Sequence, residues 1–324
     1  MLAQNLPRSI HLCEVGPRDG LQIEPTRLST RQKTDLIETL IRAGLREIEV
    51  GSFVNPRAVP QMADTDEVFK ALGMNKHPLA AYRAIWLNTR GLERALENPQ
   101  VDMDAKLAIT ASETFVRRNT NRSIADTFAE MPEWIARYRE AGIGKGSLTV
   151  MAAFGCNFEG RVSEDKVICL IDRAVRLSVD EGLPLECICL ADTMGWANPL
   201  QVRRLVSRTR EAWPEMAIKL HLHDTRGCAV ANAVAGMEVG VRDFDAAIGG
   251  LGGCPFAGHQ GAAGNICTED LVFACHEMGI ETGIDLDALI EAARELEILL
   301  GHPLPGKLMK GGSLSRFEHG ANRQ

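Results

Sequence analysis

The feature that most constrains the fold is a regular alternation of two kinds of segment. Short apolar runs alternate with longer amphipathic stretches eight times along the 324 residues. In the longer stretches apolar residues recur at three-to-four-residue spacing, which is typical of helices with one buried face. We predict strands at residues 10–15, 47–51, 79–87, 104–110, 147–153, 185–191, 217–221 and 243–248.

A strand followed by a helix, repeated eight times, is the signature of the (β/α)8 or TIM barrel, and we predict that fold. An open doubly wound sheet is the alternative. It would usually have fewer strands and a glycine-rich phosphate turn after the first strand, whereas residues 16–20 read GPRDG.

Local signals fit the predicted boundaries. Ser29 precedes the first helical stretch and Gln32 follows three residues later, which predicts a capping box. Gly44, Gly142 and Gly240 follow helical stretches and are predicted to end them.

We predict a single catalytic domain over residues 1–324. The barrel is expected at about 9–280, followed by a C-terminal helical elaboration at about 281–324. Residues 285–300 form an amphipathic pattern that predicts a helix in that elaboration.

The composition limits the partners. The formal charge is −7, from 36 basic and 43 acidic side chains, so we expect no nucleic-acid partner, which would need a concentrated basic face. A small anionic substrate is compatible with this charge. We expect no membrane partner, because no stretch approaches the roughly 18 apolar residues of a membrane span.

Cysteine usage and the N-terminus favour a cytoplasmic protein. The nine cysteines contain no Cys-x-x-Cys pair, and their number is odd. Reduced, mostly buried thiols are the simplest interpretation. The first residues lack the long apolar run of a signal peptide.

His221 and His223 form the sharpest chemical signal. They close the seventh predicted strand, and residues two apart in a strand point to the same side. In a barrel of this kind the active site lies at the carboxyl ends of the strands. The pair therefore predicts a metal site, although a core histidine beside a surface histidine would give the same pattern.

Other polar residues follow strand ends. Arg18 and Asp19 come after the first strand, and Asp192 ends the sixth. Asp19 is either a carboxylate ligand or a turn residue before Gly20. Arg18 is a candidate for stabilising an oxyanion, or else a surface side chain. Asp224 is either an acceptor for an imidazole N–H or a helix cap.

A glycine-rich segment follows the eighth strand. Residues 249–264 contain seven glycines among 16 residues, with Cys254 in the middle and Asn265 directly after. Such a run predicts a mobile lid or a close approach of the backbone to a ligand. Asn265 could supply an amide oxygen ligand or lie near a helix cap. Two imidazoles, a carboxylate and an amide oxygen suit Mg²⁺ or Mn²⁺ better than structural zinc.

Five motifs occur in an order that resembles the 3-hydroxy-3-methylglutaryl-CoA (HMG-CoA) lyase family, which is related to isopropylmalate and homocitrate synthases. The likeness extends from about residue 10 to 300. The motifs are GPRDGLQ (16–22), IEVGSFVNPRAVPQMAD (48–64), LADTMG (190–195), HLHDTRG (221–227) and GGLGGCPFAGHQGAAGNICTED (249–270).

The resemblance implies a role for each matching residue. It implies a divalent cation, Mg²⁺ or Mn²⁺, held by Asp19, His221, His223 and Asn265. It implies a catalytic set comprising Arg18, Glu49, Asp192, His221 and Cys254. Within this set His221 is the candidate proton shuttle, and Cys254 is a candidate for reprotonating the enolate carbon or excluding water. It implies substrate contacts from Arg18, Gln22, Thr193 and Glu269.

The resemblance further implies a metal-dependent carbon–carbon lyase. It would cleave HMG-CoA, or a close 3-hydroxyacyl-CoA analogue, to acetyl-CoA and acetoacetate or a related ketoacid. Alternatives are a Claisen-type synthase or aldolase on the same barrel, and a catalytically inactive metal-binding paralogue. Pro25 stands where the family has a basic residue, and Cys189 where it has a serine near the substrate carboxylate. We expect a homo-oligomer, either a dimer or a tetramer.

Overall fold

Eight parallel strands curl into one sheet of the TIM-barrel type. The structure is a computed structural model that describes residues 6–74, 76–253 and 264–318. The strands lie in the order β3-β2-β1-β8-β7-β6-β5-β4. They are β1 (His11–Glu14), β2 (Glu47–Ser52), β3 (Ala81–Ile85), β4 (Ala105–Thr110), β5 (Gly146–Met151), β6 (Leu185–Asp192), β7 (Ala217–Leu222) and β8 (Asp243–Ala246). The predicted barrel and its eight strands are confirmed, and each strand boundary lies within two residues of its predicted position.

The order of the strands places β3 and β4 at the two ends of the sheet. Among the described residues no strand ladder joins these two strands. Individual hydrogen bonds cross the seam instead: for example, the Asp102 amide donates to the Tyr82 carbonyl over 2.9 Å, and Lys106 Nζ donates to the Ala84 carbonyl over 3.1 Å.

Helices alternate with the strands. They are α1 (Thr30–Arg42), α2 (Thr65–Gly73), α3 (Thr89–Glu97), α4 (Glu113–Thr120), α5 (Ile124–Glu140), α6 (Glu164–Asp180), α7 (Pro199–Ala212), α8 (Ala229–Glu238), α9 (Thr268–Glu277), α10 (Leu286–Leu300), α11 (Leu308–Gly311) and α12 (Ser315–Glu318). The predicted capping box at Ser29 and Gln32 is present at the start of α1. Gly44 follows α1 with a φ of +110°, which the absence of a Cβ permits.

Two different environments flank the strands. Alternate strand residues such as Ile48, Val50 and Leu148 are fully buried and belong to the main apolar core. The residues between them, including Glu47 and Lys219, carry charge and pair with residues on other strands. The inside of this barrel is therefore unusually polar, since barrel interiors are mostly filled by branched aliphatic side chains.

The chain after α10 returns to the carboxyl ends of the strands. The Gly306 amide donates to the Gly249 carbonyl over 3.0 Å, and the Lys307 and Leu308 amides donate to Asp270. The predicted C-terminal helical elaboration is thus present, and it packs beside the segment that follows β8.

The described cysteines agree with the prediction of reduced thiols, because all eight of them are free and five are buried. Within the described ranges, no helix combines the length and the apolar character needed to cross a membrane.

Candidate metal centre and active site

A tight turn after β1 presents Arg18 and Asp19. Residues Gly16–Gly20 form a π-helical turn, in which the Val15 carbonyl accepts from the amides of residues 18, 19 and 20 at 3.1, 2.7 and 3.3 Å. The buried Glu14 carboxylate fixes the start of this turn by accepting from the Gly16 amide over 2.7 Å. The Asp19 side chain is only 15% exposed, so the alternative that Asp19 is a surface turn residue is wrong.

The end of β7 brings two imidazoles to the same place. His221 Nε2 lies 3.1 Å from His223 Nε2. One ligand atom from each of Asp19, His221 and His223 lies within 4.8 Å of the other two. The predicted convergence of these three side chains is what the structure shows.

Asn265 completes this group. A backbone bridge pairs it with His223, and its Nδ2 donates to Asp19 Oδ2 over 2.8 Å and to the Leu251 carbonyl over 3.1 Å. Its Oδ1 is buried and has no hydrogen-bond partner among the described residues. A buried acceptor without a donor is costly, and a bound cation would satisfy it. The donor set thus fits a divalent metal ion.

The charges in this group also suit a cation. Burial opposes ionisation of Asp19, but Arg18 and the two histidines lower its pKa overall. Burial, together with the charge of His221, lowers the pKa of His223 to about 3. Metal ligands must be deprotonated, so Asp19 and His223 are already in the binding state at neutral pH.

His221 differs from His223 because it has an acidic neighbour. Its Nδ1 lies 3.2 Å from Asp245 Oδ2. Burial opposes the charged imidazolium, yet Asp245 raises the pKa of His221 overall. Both ring nitrogens of His221 face other side chains, so its predicted second role as a proton shuttle stays a prediction.

Arg18 is held between two carboxylates. Its Nη1 lies 2.5 Å from Asp19 Oδ1, and its Nε donates to Glu49 Oε1. Burial disfavours its charge, but Asp19 and Glu49 outweigh this and raise the pKa of Arg18. A fixed guanidinium therefore lies directly beside the candidate metal ligands.

The described part of the glycine-rich segment approaches the metal group closely. Gly252 has a φ of +98°, and a Cβ there would come within 2.5 Å of Asn265 Nδ2. A Cβ at Gly264 would come within 1.9 Å of the Gly252 carbonyl oxygen. Glycine is thus required at both sides of the loop base. Cys254, the predicted loop thiol, lies outside the described residues.

Two predicted site residues on the sixth strand and its loop bond to backbone amides. Asp192 is buried and accepts from the Trp196 amide over 2.7 Å and the Ala197 amide over 3.1 Å. Thr193 Oγ1 accepts from the Ala152 amide over 2.9 Å. Burial raises the pKa of Asp192 to about 6.

Glu269 contacts the backbone of the segment after β8. Both carboxylate oxygens of this buried side chain accept from the Gly249 amide over 3.1 Å, which fixes the start of that segment. Burial raises its pKa to about 7. Gln22 is half-buried in the short 3-10 turn that follows the π-helical turn.

The carboxylate beside an imidazole nitrogen is Asp245 and not Asp224, the candidate from the sequence. Asp224 caps α8 by accepting from the Ala229 amide over 2.8 Å, and it pairs with Lys307 at 2.9 Å. Asp245 lies beside His221 instead. A signal for it existed, because the strand DFDA at residues 243–246 places two carboxylates on one side.

Comparisons with known proteins show similarity over most of the chain. The family model described as HMGL-like matches residues 9–296. The (R)-citramalyl-CoA lyase of Chloroflexus aurantiacus is 41% identical over 312 residues, covering 94% of this chain and 95% of that protein. The hydroxymethylglutaryl-CoA lyase of Bacillus subtilis is 38% identical over 305 residues, covering 93% of this chain and 96% of that protein.

Solved structures give the same result. An HMG-CoA lyase from Acinetobacter baumannii, in complex with coenzyme A and 3-methylmalate, has a TM-score of 0.84 and 45% identity, covering 94% of this chain and 96% of that chain. The B. subtilis HMG-CoA lyase has a TM-score of 0.86 and 35% identity, covering 95% and 99%.

Proposed function

Because this chain belongs to the HMGL-like family, we propose that it is a divalent-cation-dependent lyase that cleaves HMG-CoA or citramalyl-CoA. The observation that carries the proposal is the convergence of Asp19, His221 and His223 with the unpartnered oxygen of Asn265, directly beside Arg18. Its relatives are named as lyases of CoA thioesters, which supports the predicted class of carbon–carbon lyase.

Both thioesters undergo the same reaction. Each carries a hydroxyl and a methyl group on C3 of the acyl chain, and they differ by one methylene before the distal carboxylate. Loss of the hydroxyl proton allows the C2–C3 bond to break in a retro-Claisen reaction. Acetoacetate leaves from HMG-CoA and pyruvate from citramalyl-CoA. In each case the enolate of acetyl-CoA is left and must take up a proton at carbon.

The chain supplies fixed charge for this reaction. When bound, the cation would acidify and orient the substrate hydroxyl. Arg18, held in place by Glu49, would stabilise the enolate oxygen because its guanidinium is already oriented and largely removed from solvent.

Asp192 is the residue that we propose accepts the hydroxyl proton. It ends β6, beside β7, where it is in register with Leu222. Burial raises its pKa to about 6, which makes it a stronger base than an ordinary aspartate while it remains ionised at neutral pH. Each of its oxygens accepts one backbone amide and keeps a second lone pair. The matching role for Cys254, protonation of the enolate carbon, stays a prediction.

The proposal includes both HMG-CoA and citramalyl-CoA, because the relatives differ in the thioester that their names give. The hydroxymethylglutaryl-CoA lyases favour HMG-CoA. The citramalyl-CoA lyase at 41% identity favours the shorter substrate, as does Cys189, which stands where the resemblance implies a serine near the substrate carboxylate.

The test is a product assay with both thioesters, using enzyme stripped of metal and then supplied with Mn²⁺ or Mg²⁺. We expect acetyl-CoA together with acetoacetate or pyruvate, and we expect a chelator to abolish release. Product formation that is undiminished by the chelator would contradict the cation requirement. Condensation of acetyl-CoA with a ketoacid, without measurable cleavage, would support a Claisen-type synthase instead.

A further inference from the structure

A chain of charged side chains leads from His221 into the barrel. Asp245 lies between an imidazole nitrogen and an ammonium group, because its Oδ2 is 3.2 Å from His221 Nδ1 and its Oδ1 is 3.2 Å from Lys219 Nζ. Lys219 Nζ is in turn 3.9 Å from Glu47 Oε1. Positive and negative groups alternate at each step.

The alternation continues to the other side of the candidate metal group. Arg83 pairs with Glu47 at 3.2 Å and with Asp104 at 3.7 Å. Lys106 lies 3.9 Å from both Asp104 and Glu49. Since Glu49 pairs with Arg18, and Arg18 with Asp19, the chain of contacts begins at one candidate metal ligand and ends at another.

The part nearest His221 is well shielded from water. The Asp245 side chain is 15% exposed and the Lys219 side chain 21% exposed. Burial alone would raise the pKa of Asp245 and lower that of Lys219, but their mutual attraction reverses both directions. A carboxylate paired in this way accepts hydrogen bonds in a fixed orientation.

We propose that Asp245 and Lys219 are positioning residues for the metal centre: Asp245 accepts the Nδ1–H of His221 and so directs Nε2 to the cation, while Lys219 holds the Asp245 carboxylate. This inference rests on the proposed cation. Its physical basis is that an acceptor on one ring nitrogen selects the tautomer whose other nitrogen carries a free lone pair.

A purely structural ion pair makes a different prediction. Removing it would lower the free energy of unfolding and leave the cation affinity of the folded protein unchanged. A positioning pair changes the cation affinity and the tautomer of His221 in protein that is still folded. Asp243 provides a matched control, because it lies two residues earlier on β8 and, among the described residues, the β8 carboxylate that bonds to His221 is Asp245.

The experiment is Mn²⁺ binding to the metal-free parent, Asp245→Asn and Asp243→Asn chains, measured by titration calorimetry and by the electron paramagnetic resonance of free Mn²⁺. We expect Asp245→Asn to weaken binding by about 10- to 100-fold and Asp243→Asn to leave it within about twofold. If Asp245→Asn does not fold, Lys219→Gln replaces it, with a smaller weakening expected.

A second readout is the ¹⁵N spectrum of histidine-labelled, metal-free protein, in which protonated and unprotonated ring nitrogens are well separated. In the neutral imidazole we expect the proton on Nδ1 of His221 in the parent and a shift towards the Nε2–H tautomer in Asp245→Asn. A parent that binds Mn²⁺, with a folded variant that binds it equally and keeps the tautomer, would overturn the positioning role alone. A parent that binds no Mn²⁺ would overturn the proposed function as well.

Discussion

The rim formed after β1, β7 and β8 and the rim formed after β6 use the same residue types in different ways. On the first rim Asp19, His221 and Asn265 bond to other side chains around one point. On the second rim Asp192 and Thr193 bond to backbone amides of nearby loops.

The difference shows that a polar residue at a strand end is not by itself a ligand. A shared ligand site forms only where side chains from different strands meet, as those of Asp19 and Asn265 do. Where a backbone amide is near, as beside Asp192, it satisfies the hydrogen-bonding capacity of the side chain without a second side chain. We therefore expect the first rim to control the chemical step and cation binding. We expect the second to control proton transfer and the choice of substrate.

The largest effect is expected from Arg18→Gln. Loss of the charge beside the enolate oxygen should lower kcat by about 1,000-fold without loss of bound Mn²⁺. The control is Arg83→Gln, which also removes a cation from the charged barrel interior, but whose ion pairs among the described residues are to Glu47 and Asp104 instead of Asp19 or Glu49. We expect the control to retain kcat within about tenfold. Equal losses in the two variants would show that Arg18 only stabilises the fold.

Asp192→Asn is expected to lower kcat by about 100-fold, the usual contribution of a general base. In the parent, kcat/KM should fall as the pH drops below about 6, because protonation at the raised pKa removes the base. The variant should not show this fall of kcat/KM at acidic pH. Asp224→Asn is the control, since Asp224 also follows closely on a strand and accepts a backbone amide. If kcat/KM still falls at acidic pH in Asp192→Asn, another group causes that fall.

Cys189→Ser tests substrate choice within β6, the strand that leads to the second rim. Serine donates a stronger hydrogen bond than a thiol, which should favour binding of the distal carboxylate of HMG-CoA. We expect the ratio of kcat/KM for HMG-CoA to that for citramalyl-CoA to rise by about tenfold, equivalent to one net hydrogen bond. Cys187→Ser, two residues earlier on β6, should leave the ratio unchanged. An unchanged ratio in both variants would remove Cys189 from the determinants of specificity.

The last prediction concerns stability instead of turnover, through the buried glutamate beneath the first rim. Burial raises the pKa of Glu14 to about 7 from 4.5. A raised pKa means that stability is fully present below pH 4.5 and declines as the pH rises through about 7. Because one pKa unit corresponds to about 1.4 kcal/mol, this decline approaches about 3 kcal/mol.

In the parent, the free energy of unfolding should decline between pH 4.5 and 8, as measured by denaturant titration. Glu14→Gln should remove the part of this decline that comes from ionisation of Glu14. Exposed Glu186→Gln should retain the parent's pH dependence. The same decline in Glu14→Gln as in the parent would contradict ionisation of Glu14 as its source.

Much of this molecule could be predicted from the sequence because its signals are local. The alternation of apolar runs gave strand boundaries within two residues, and His221 and His223 converge because two-residue spacing places them on one side of β7. Asp245 was missed because its partner lies on a neighbouring strand: the local pattern DFDA places two carboxylates on one side of β8 but does not show that one of them contacts His221. Asp224 seemed equally able to accept from an imidazole, but α8 begins beside it and takes its carboxylate as a cap. The role of Cys254 and the homo-oligomeric state stay predictions.

The most direct test of the central claim is to titrate metal-free enzyme with Mn²⁺ while bound metal and acetyl-CoA release are measured in the same samples. We expect the two to rise together and to level off at a single ion per chain, with His223→Ala showing neither at the same Mn²⁺ concentrations. Full acetyl-CoA release from enzyme that carries no bound metal would contradict the assignment of Asp19, His221, His223 and Asn265 as a catalytic metal centre.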